Sequence, residues 1–214
     1  MTSPGLVCFD CDSTLSAIEG IDELARLRGP ECFRAIEAMT RDAMEGRIAL
    51  DAIFARRLEL IRPTRAEVEA VGAQYVATVE PTAAATVAAL RAAGWDLAIV
   101  SGGYTQAIAP LARHLGIARV EAVPLRFDAA GDYAGYDESA PAARRGGKPE
   151  ILRALRAARR PARLVMVGDG ASDAEARGVA DLFVGFGRYA DRPAVRAAAD
   201  RYVLSLDALP PLLA

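Results

Sequence analysis

Lysine and histidine are almost absent from this chain. Its 214 residues include 26 lysines and arginines, and Lys148 is the only lysine among them. His114 is the only histidine. Arginine serves as well as lysine wherever a solvated positive charge is all that is needed, so an arginine-rich bias leaves the single lysine unexplained. Lys148 is therefore a candidate for a site that requires a compact ammonium, and a stray surface lysine is the alternative.

Cysteine is scarce as well. Cys8, Cys11 and Cys32 lack the paired spacing of a zinc site, and their odd number beside a single histidine argues against a disulfide framework. We therefore expect this protein to reside in a reducing compartment.

Long apolar runs and blocks of like charge are also missing. No stretch approaches the roughly 20 apolar residues of a membrane span, and no basic segment precedes the short apolar run near the beginning. The formal net charge is only −2. These features predict a cytoplasmic globular protein with a small-molecule partner and no affinity for nucleic acid or membranes. We expect it to be a monomer or a homodimer.

Strand-like and helical segments alternate along the chain, with one interruption. After a first strand, four consecutive segments have a helical pattern. These segments are 19–28, 31–44, 49–61 and 64–79. Alternation resumes from residue 81, and such alternation predicts an α/β fold with a doubly wound parallel sheet.

This interruption divides the predicted fold into two parts. Residues 1–15 and 80–214 are expected to form the α/β catalytic core, and residues 16–79 a helical cap inserted after the first strand. A small β-hairpin is predicted at 124–136, with its turn at 129–132.

Polar residues gather where three predicted strands end. They are Asp10 with Asp12, Ser101 with Gly102, and Asp169 with Asp173. Because parallel strands end at one edge of a sheet, we expect these groups to converge. Carboxylates there can act as a nucleophile, a proton donor or ligands of a hard metal ion. Each pair alone also fits a helix N-cap or a turn, but their convergence favours a functional site.

The surroundings of Lys148 predict a helix start. Gly146 and Gly147 precede it, and Pro149 and Glu150, which follow, are typical first-turn residues. An ammonium beside free backbone N–H groups can stabilise carboxylates and a phosphate. The alternative is a solvated lysine at a turn.

Four motifs resemble those of the haloacid-dehalogenase-like phosphatases and occur in the order used by that family. They are 9–15 (FDCDSTL), 100–103 (VSGG), 146–148 (GGK) and 168–173 (GDGASD). Further segments are similar to the phosphoserine branch of the family. They are 19–25, 39–44, 131–138 and 185–187. The resemblance covers nearly the whole chain.

The resemblance implies an enzyme that hydrolyses O-phospho-L-serine to L-serine and phosphate, the last step of serine biosynthesis. A phosphatase or phosphotransferase acting on another small phosphomonoester, such as phosphohomoserine, is the alternative. A signalling receiver module is the non-enzyme alternative, but such modules lack a four-helix insertion after the first strand.

The same resemblance assigns the chemistry. Asp10 is expected to attack phosphorus and form an aspartyl-phosphate, while Asp12 acts first as general acid and then as general base. Mg²⁺ is the expected cofactor, held by Asp10, the backbone carbonyl of Asp12 and Asp169, with Asp173 supporting the metal shell.

Phosphate binding is assigned in the same way to Ser101, the N–H of Gly102 and Lys148. Ser172 is expected at the substrate, although asparagine or threonine is more usual there in the family. Its hydroxyl can still hydrogen-bond to phosphate or to Asp173.

Arg57 offers evidence that does not depend on the resemblance. It lies within the apolar stripe of the predicted helix 49–61, and a buried arginine requires an anion. An internal salt bridge or a stem extended to solvent are the alternatives. The resemblance assigns Arg57 to the substrate's α-carboxylate and Glu19 to its ammonium. From the residues alone, Glu19 also fits an ordinary first-turn acid.

Overall fold

The structure is a computed structural model that describes residues 5–45, 47–48 and 50–214. The predicted start of the third helix at Ala49 lies outside the described residues, as do residues 1–4 of the predicted core. No helix in these ranges is both long and apolar enough to cross a membrane.

Six parallel strands form the central sheet, and two antiparallel strands form a separate hairpin. The strands are β1 Leu6–Phe9, β2 Asp96–Tyr104, β3 Arg119–Val123, β4 Leu125–Phe127, β5 Tyr133–Tyr136, β6 Leu164–Gly168, β7 Leu182–Phe186 and β8 Arg201–Val203. The sheet order is β3-β2-β1-β6-β7-β8. Strands β1, β6 and β7 are buried along their whole length, as expected for a parallel sheet covered on both faces.

The helices match the predicted alternation closely. They are α1 Gly20–Arg26, α2 Pro30–Met44, α3 Leu50–Ile61, α4 Arg65–Ala77, α5 Ala83–Ala92, α6 Thr105–Leu115, α7 Gly147–Arg159, α8 Ala171–Ala174, α9 Pro193–Ala198 and α10 Leu209–Leu213. The predicted α/β fold is confirmed, and α1 to α4 follow β1 without an intervening strand.

The segment predicted as a cap leaves and rejoins the rest of the chain at adjacent points. Ser16 and Val79 form an isolated antiparallel bridge. The N–H of Glu80 donates to the carbonyl of Leu15 at 2.9 Å. Helix α4 packs on α6, and α2 contacts α8, so the cap helices border the edge where the strands end. The division into core and cap stays a prediction.

Two boundaries near the site differ from those that the sequence pattern predicts, which are a strand at 96–100 and a helix that begins at Pro149 with Lys148 as its cap. Strand β2 continues past Val100 to Tyr104, because pairing with β3 resumes at Tyr104 after an irregularity. Helix α7 begins at Gly147 because Gly146 adopts a left-handed conformation (φ 72°) as its N-cap. Lys148 therefore lies within the first turn of α7 and does not cap it, and Pro149 is the third helical residue, not the first.

Candidate active site

One pocket at the carboxyl edge of the sheet brings most of the predicted site residues together. Those that line it are Asp10, Asp12, Glu19, Arg57, Ser101, Gly102, Lys148 and Ser172. The two remaining predicted residues, Asp169 and Asp173, are buried beside it. Asp173 contacts Lys148 in its lining, and a carboxylate oxygen of Asp169 lies within 4.8 Å of one from Asp10. The expected convergence of the three strand ends is thus present.

A tight loop after β1 presents both aspartates of the first motif. The N–H of Asp10 donates to the carbonyl of Val167 at 2.8 Å, which ties the loop to the neighbouring strand. Ser13 adopts a left-handed conformation with φ 50°, and the N–H of Ser16 closes the loop on the carbonyl of Cys11 at 3.0 Å. Residues 10 and 12 therefore project into the same pocket.

Lys148 bridges two carboxylates in the floor of the site. Its Nζ lies 3.0 Å from Asp10 Oδ1 and 2.5 Å from Asp173 Oδ1. All three side chains are buried. Burial works to lower the pKa of the Lys148 ammonium, but the Asp10 and Asp173 carboxylates outweigh it and raise that pKa. Lys148 is therefore charged at neutral pH, and the interpretation of a solvated lysine at a turn is wrong.

Asp169 is held by Thr14 and Arg192. The Thr14 hydroxyl donates to Asp169 Oδ1 at 3.0 Å, and the Arg192 guanidinium contacts Asp169 Oδ2. Burial raises the pKa of Asp169 to about 7, with Arg192 opposing and Asp10 reinforcing that rise. A buried carboxylate of this kind ionises readily only beside compensating positive charge.

The carboxylate cluster fits a divalent metal ion. One oxygen from each of Asp10, Asp169 and Asp173 lies within 4.8 Å of the other two. Carboxylate oxygens are the ligands that hard divalent cations prefer, and a cation would supply such compensating charge. The predicted ligands Asp10 and Asp169 both belong to this cluster. The carbonyl of Asp12 as a ligand and Asp173 as a supporting residue stay predictions.

Asp12 has different surroundings at its two oxygens. Oδ1 accepts from the N–H of Gly20 at 2.7 Å and from the Tyr75 hydroxyl at 2.5 Å. Oδ2 accepts from the Ser101 hydroxyl at 3.4 Å. Burial, followed by the charge of Asp10, raises the pKa of Asp12 despite these hydrogen bonds. A raised pKa suits a carboxyl that must carry a proton before it donates one.

The end of β2 passes close to the Asp12 carboxyl. Ser101 is fully buried, and its Oγ accepts from the N–H of Gly103 at 3.0 Å. A Cβ on Gly103 would lie 2.8 Å from Asp12 Oδ2. Glycine at this position therefore allows the strand to approach the carboxyl closely.

Glu19 is the N-cap residue of α1 but makes no capping hydrogen bond. Its Oε1 accepts from the Ser13 hydroxyl at 2.7 Å and lies 3.9 Å from the Arg192 guanidinium. Burial and the charges of Asp12 and Asp169 raise the pKa of Glu19 well above its usual range. Its side chain faces the pocket and does not serve as an ordinary first-turn acid.

Arg57 is buried on the inward face of α3. The Nη1 group donates to the Thr40 hydroxyl at 3.1 Å, and that hydroxyl donates to Asp22 Oδ1 at 3.0 Å. Among the described residues, no carboxylate lies within 4.0 Å of Arg57, and its buried Nε has no partner. Neither an internal salt bridge nor a stem reaching solvent therefore describes Arg57.

The sequence did not predict that three further side chains would contact the site residues. Tyr75 lies on α4, Arg192 precedes α9, and Thr40 lies on α2. Tyr75 and Arg192 belong to none of the motifs described above, and Arg192 is one of many arginines in the chain, so no sequence signal distinguishes them. Thr40 falls in a segment that resembles the phosphoserine branch, and that segment was the only available signal.

The parallel sheet and the aspartates at its edge define a hydrolase of the haloacid dehalogenase-like type. A profile described as haloacid dehalogenase-like hydrolase matches residues 4–181, and the chain belongs to this family. The family resemblance stated from the four motifs is confirmed.

Proteins named phosphoserine phosphatase are among those that this chain is similar to. Phosphoserine phosphatase of Bos taurus is 38% identical over 203 residues, which cover 94% of this chain and 89% of the relative. The chloroplastic phosphoserine phosphatase of Arabidopsis thaliana is 38% identical over 207 residues, which cover 95% and 70%. A solved structure described as a phospho-aspartyl intermediate analogue of phosphoserine phosphatase aligns with a TM-score of 0.86, 26% identity and 99% coverage of both chains.

Proposed function

We propose that this protein is a phosphatase that hydrolyses O-phospho-L-serine to L-serine and phosphate. The observation that carries this proposal is the buried guanidinium of Arg57, which has no carboxylate partner among the described residues and lines the same pocket as Asp10 and Asp12. A buried charge without an anion is costly, and a substrate carboxylate supplies that anion. The full-length similarity to curated phosphoserine phosphatases supports the same substrate.

The first chemical step is phosphoryl transfer to Asp10. An Asp10 carboxylate oxygen attacks phosphorus, the bond from phosphorus to the serine oxygen breaks, and Asp12 donates its proton to the departing alkoxide. The raised pKa of Asp12 favours the protonated form that this step requires. The products are an aspartyl-phosphate, an ionised Asp12 and L-serine.

The second step regenerates the protein. Asp12, now a carboxylate, takes a proton from a water molecule as the water oxygen attacks phosphorus. The bond between phosphorus and Asp10 breaks, so that phosphate leaves and Asp10 is again ionised. One difficult displacement is thereby divided into two easier ones.

Charge on the transferring phosphoryl group is balanced by groups at the strand ends. Ser101, the N–H of Gly102 and Lys148 bind its oxygens, and Ser172 lies on the same pocket. Asp10, Asp169 and the carbonyl of Asp12 would hold Mg²⁺, with Asp173 supporting them, and the three carboxylates lie close enough together for such a site. When bound, Mg²⁺ screens the repulsion between the attacking carboxylate and the phosphate.

Recognition of the amino-acid part comes from the segment 16–79. Arg57 binds the α-carboxylate through its planar fork, and Glu19 binds the ammonium. Thr40 holds Arg57 from one side, and the Nε, which has no partner in the described part of the chain, can bond to the ligand.

Phosphate release with Mg²⁺ from phosphoserine, phosphohomoserine and phosphoethanolamine tests this proposal. We expect phosphoserine to be hydrolysed with the highest kcat/KM, and Arg57→Ala to abolish its advantage over phosphoethanolamine, which has no carboxylate. Equal wild-type kcat/KM values for these two esters would contradict the Arg57 assignment. A higher kcat/KM for phosphohomoserine would change the proposed substrate but not the chemistry.

The nucleophile has its own test. We expect Asp10→Asn to abolish turnover while thermal unfolding shows an intact fold. Substantial residual phosphatase activity would rule out Asp10 as the group that is phosphorylated.

A further inference from the structure

The hydroxyl of Tyr75 touches the catalytic carboxyl of Asp12 from the segment 16–79. Tyr75 lies on α4, is 1% exposed, and places its hydroxyl 2.5 Å from Asp12 Oδ1. A buried tyrosine hydroxyl requires a partner, but this one bonds to the group that we assign the proton transfers. Tyr75 is therefore placed to influence the proton transfers of Asp12.

The local sequence makes room for this contact. A Cβ on Gly20 would lie 2.2 Å from the Tyr75 hydroxyl oxygen, so no other residue type at position 20 leaves the hydroxyl in place. The N–H of the same glycine donates to the same Asp12 oxygen at 2.7 Å. Gly20 thus both contributes one hydrogen bond and admits the other.

The two donors distinguish the two oxygens of Asp12. Oδ1 accepts from Gly20 and Tyr75, whereas Oδ2 accepts one longer hydrogen bond from the Ser101 hydroxyl, which can rotate to become an acceptor. An oxygen that already accepts two hydrogen bonds is a poor place for the acid proton, because an O–H there would point at donors. The proton of the neutral acid therefore sits on Oδ2, on the side of Ser101 and the strand end that we assign to the phosphoryl group.

We propose that Tyr75 is a positioning residue that, together with the N–H of Gly20, fixes the Asp12 carboxyl so that Oδ2 presents its proton to the leaving oxygen. This inference rests on the proposed function, because it requires Asp12 to act as general acid. Since Tyr75 and Gly20 both belong to the segment 16–79, the acid is oriented by that segment and not by the loop that carries Asp12.

A comparison of two leaving groups tests the proposal. An alkoxide such as that of serine needs a proton as it departs, whereas the phenolate of para-nitrophenyl phosphate departs without one. For Tyr75→Phe, which keeps the ring and loses only the hydroxyl, we expect kcat/KM to fall about tenfold or more with phosphoserine but by less than about twofold with para-nitrophenyl phosphate. Equal losses on both esters would overturn the proposal.

Val71→Ala is the matched control. Val71 is buried on the same helix and does not bond to Asp12, so its truncation loosens the packing of α4 without removing a donor from the carboxyl. We expect any loss in Val71→Ala to be the same for both esters. A leaving-group difference as large as that of Tyr75→Phe would show that loosening of α4, and not the hydroxyl, causes the effect.

A crystal structure of Tyr75→Phe gives a second result that does not depend on turnover. We expect the Asp12 carboxyl to rotate away from Ser101 or to occupy several orientations, and an unmoved carboxyl would overturn the proposal. Wild-type protein that releases no phosphate from phosphoserine would contradict the proposed function instead, so the two failures are distinguishable.

Discussion

The ammonium of Lys148 lies 3.0 Å from a carboxylate oxygen of Asp10, and both side chains are buried. Because Lys148 also contacts Asp173, the only lysine of the chain is the cation that joins the proposed nucleophile to the metal-binding edge. Every other Lys or Arg position of the chain is arginine. A lysine remains here because a guanidinium is larger and planar and presents its charge as a fork.

We expect Lys148→Arg to lower kcat with phosphoserine about 100-fold or more, although it conserves the charge, because the fork cannot occupy the position of an ammonium between two carboxylates. Lys148→Met should lower kcat at least as much and also lower the Tm, since it leaves the buried carboxylates unpaired. Steady-state kinetics and thermal unfolding check both variants. Retention of half the wild-type kcat by Lys148→Arg would contradict the need for a compact ammonium.

Close approach of β2 to Asp12 gives a second prediction. In Gly103→Ala, the new methyl group would lie 2.8 Å from Asp12 Oδ2 and would displace the proposed acid. We expect kcat with phosphoserine to fall about tenfold or more, with little change in Tm. Gly178→Ala is the control, because a Cβ there meets nothing within 4 Å. Comparable losses of kcat in both variants would show that the effect is not specific to the site.

The sequence was sufficient to predict the parts of the site that strands carry. Asp10 and Asp169 follow strands whose apolar runs are readable, and Ser101 lies directly after such a run within β2, so the parallel arrangement requires them to converge. Tyr75 was not predictable, because only the packing of α4 beside α1 brings its hydroxyl to Asp12. No local pattern encodes such a contact between distant segments.

Arg57 and Arg192 show when a functional arginine can be predicted from the sequence and when it cannot. Arg57 was predicted because helical periodicity places it among apolar residues, where a charge stands out. Arg192 was not, because it precedes α9 in a segment without periodicity, and its contact with Asp169 depends on how β7 and α9 are connected. The role of a charged residue in a loop can be inferred only from the residues that it contacts in the folded structure.

The hydroxyl of Thr40 should matter for binding more than for chemistry. It accepts from Arg57 at 3.1 Å and donates to Asp22, whose pKa is raised to about 6 mainly by burial. We expect Thr40→Val to raise KM for phosphoserine about tenfold with little change in kcat, because Arg57 loses the hydrogen bond that orients it. Phosphoethanolamine is the control substrate, and an equal rise in its KM would contradict a role through the carboxylate.

Metal binding should stabilise the folded protein measurably. The buried carboxylates of Asp10, Asp169 and Asp173 repel one another, so we expect EDTA treatment to abolish activity and lower the Tm, and added Mg²⁺ to restore both. In Asp169→Asn the rise in Tm with Mg²⁺ should disappear. Thermal unfolding over a range of Mg²⁺ concentrations checks this, and an undiminished rise in Asp169→Asn would place the ion elsewhere.

Glu67 gives a pH-dependent contribution to stability that is independent of the site. Its carboxylate accepts from the Arg28 guanidinium at 2.8 and 2.7 Å and from the N–H of Thr64 at 2.8 Å, which closes a capping box at the start of α4. The Arg28 hydrogen bonds are the main cause that lowers the pKa of Glu67 from its ordinary 4.5 to about 2. The folded state therefore binds the proton more weakly than the unfolded chain.

A group with a depressed pKa stabilises the fold above its unfolded pKa and loses that contribution as the pH falls through the folded value. Glu67→Gln should therefore lower the free energy of unfolding by about 1–2 kcal/mol at pH 7, and this deficit should shrink between about pH 4.5 and pH 2. Urea unfolding of both proteins across this range measures the difference. Glu69→Gln, an exposed neighbour on the same helix, is the control and should show no such pH dependence. A deficit for Glu67→Gln that stays constant down to pH 2 would mean that the ionised carboxylate does not cause it.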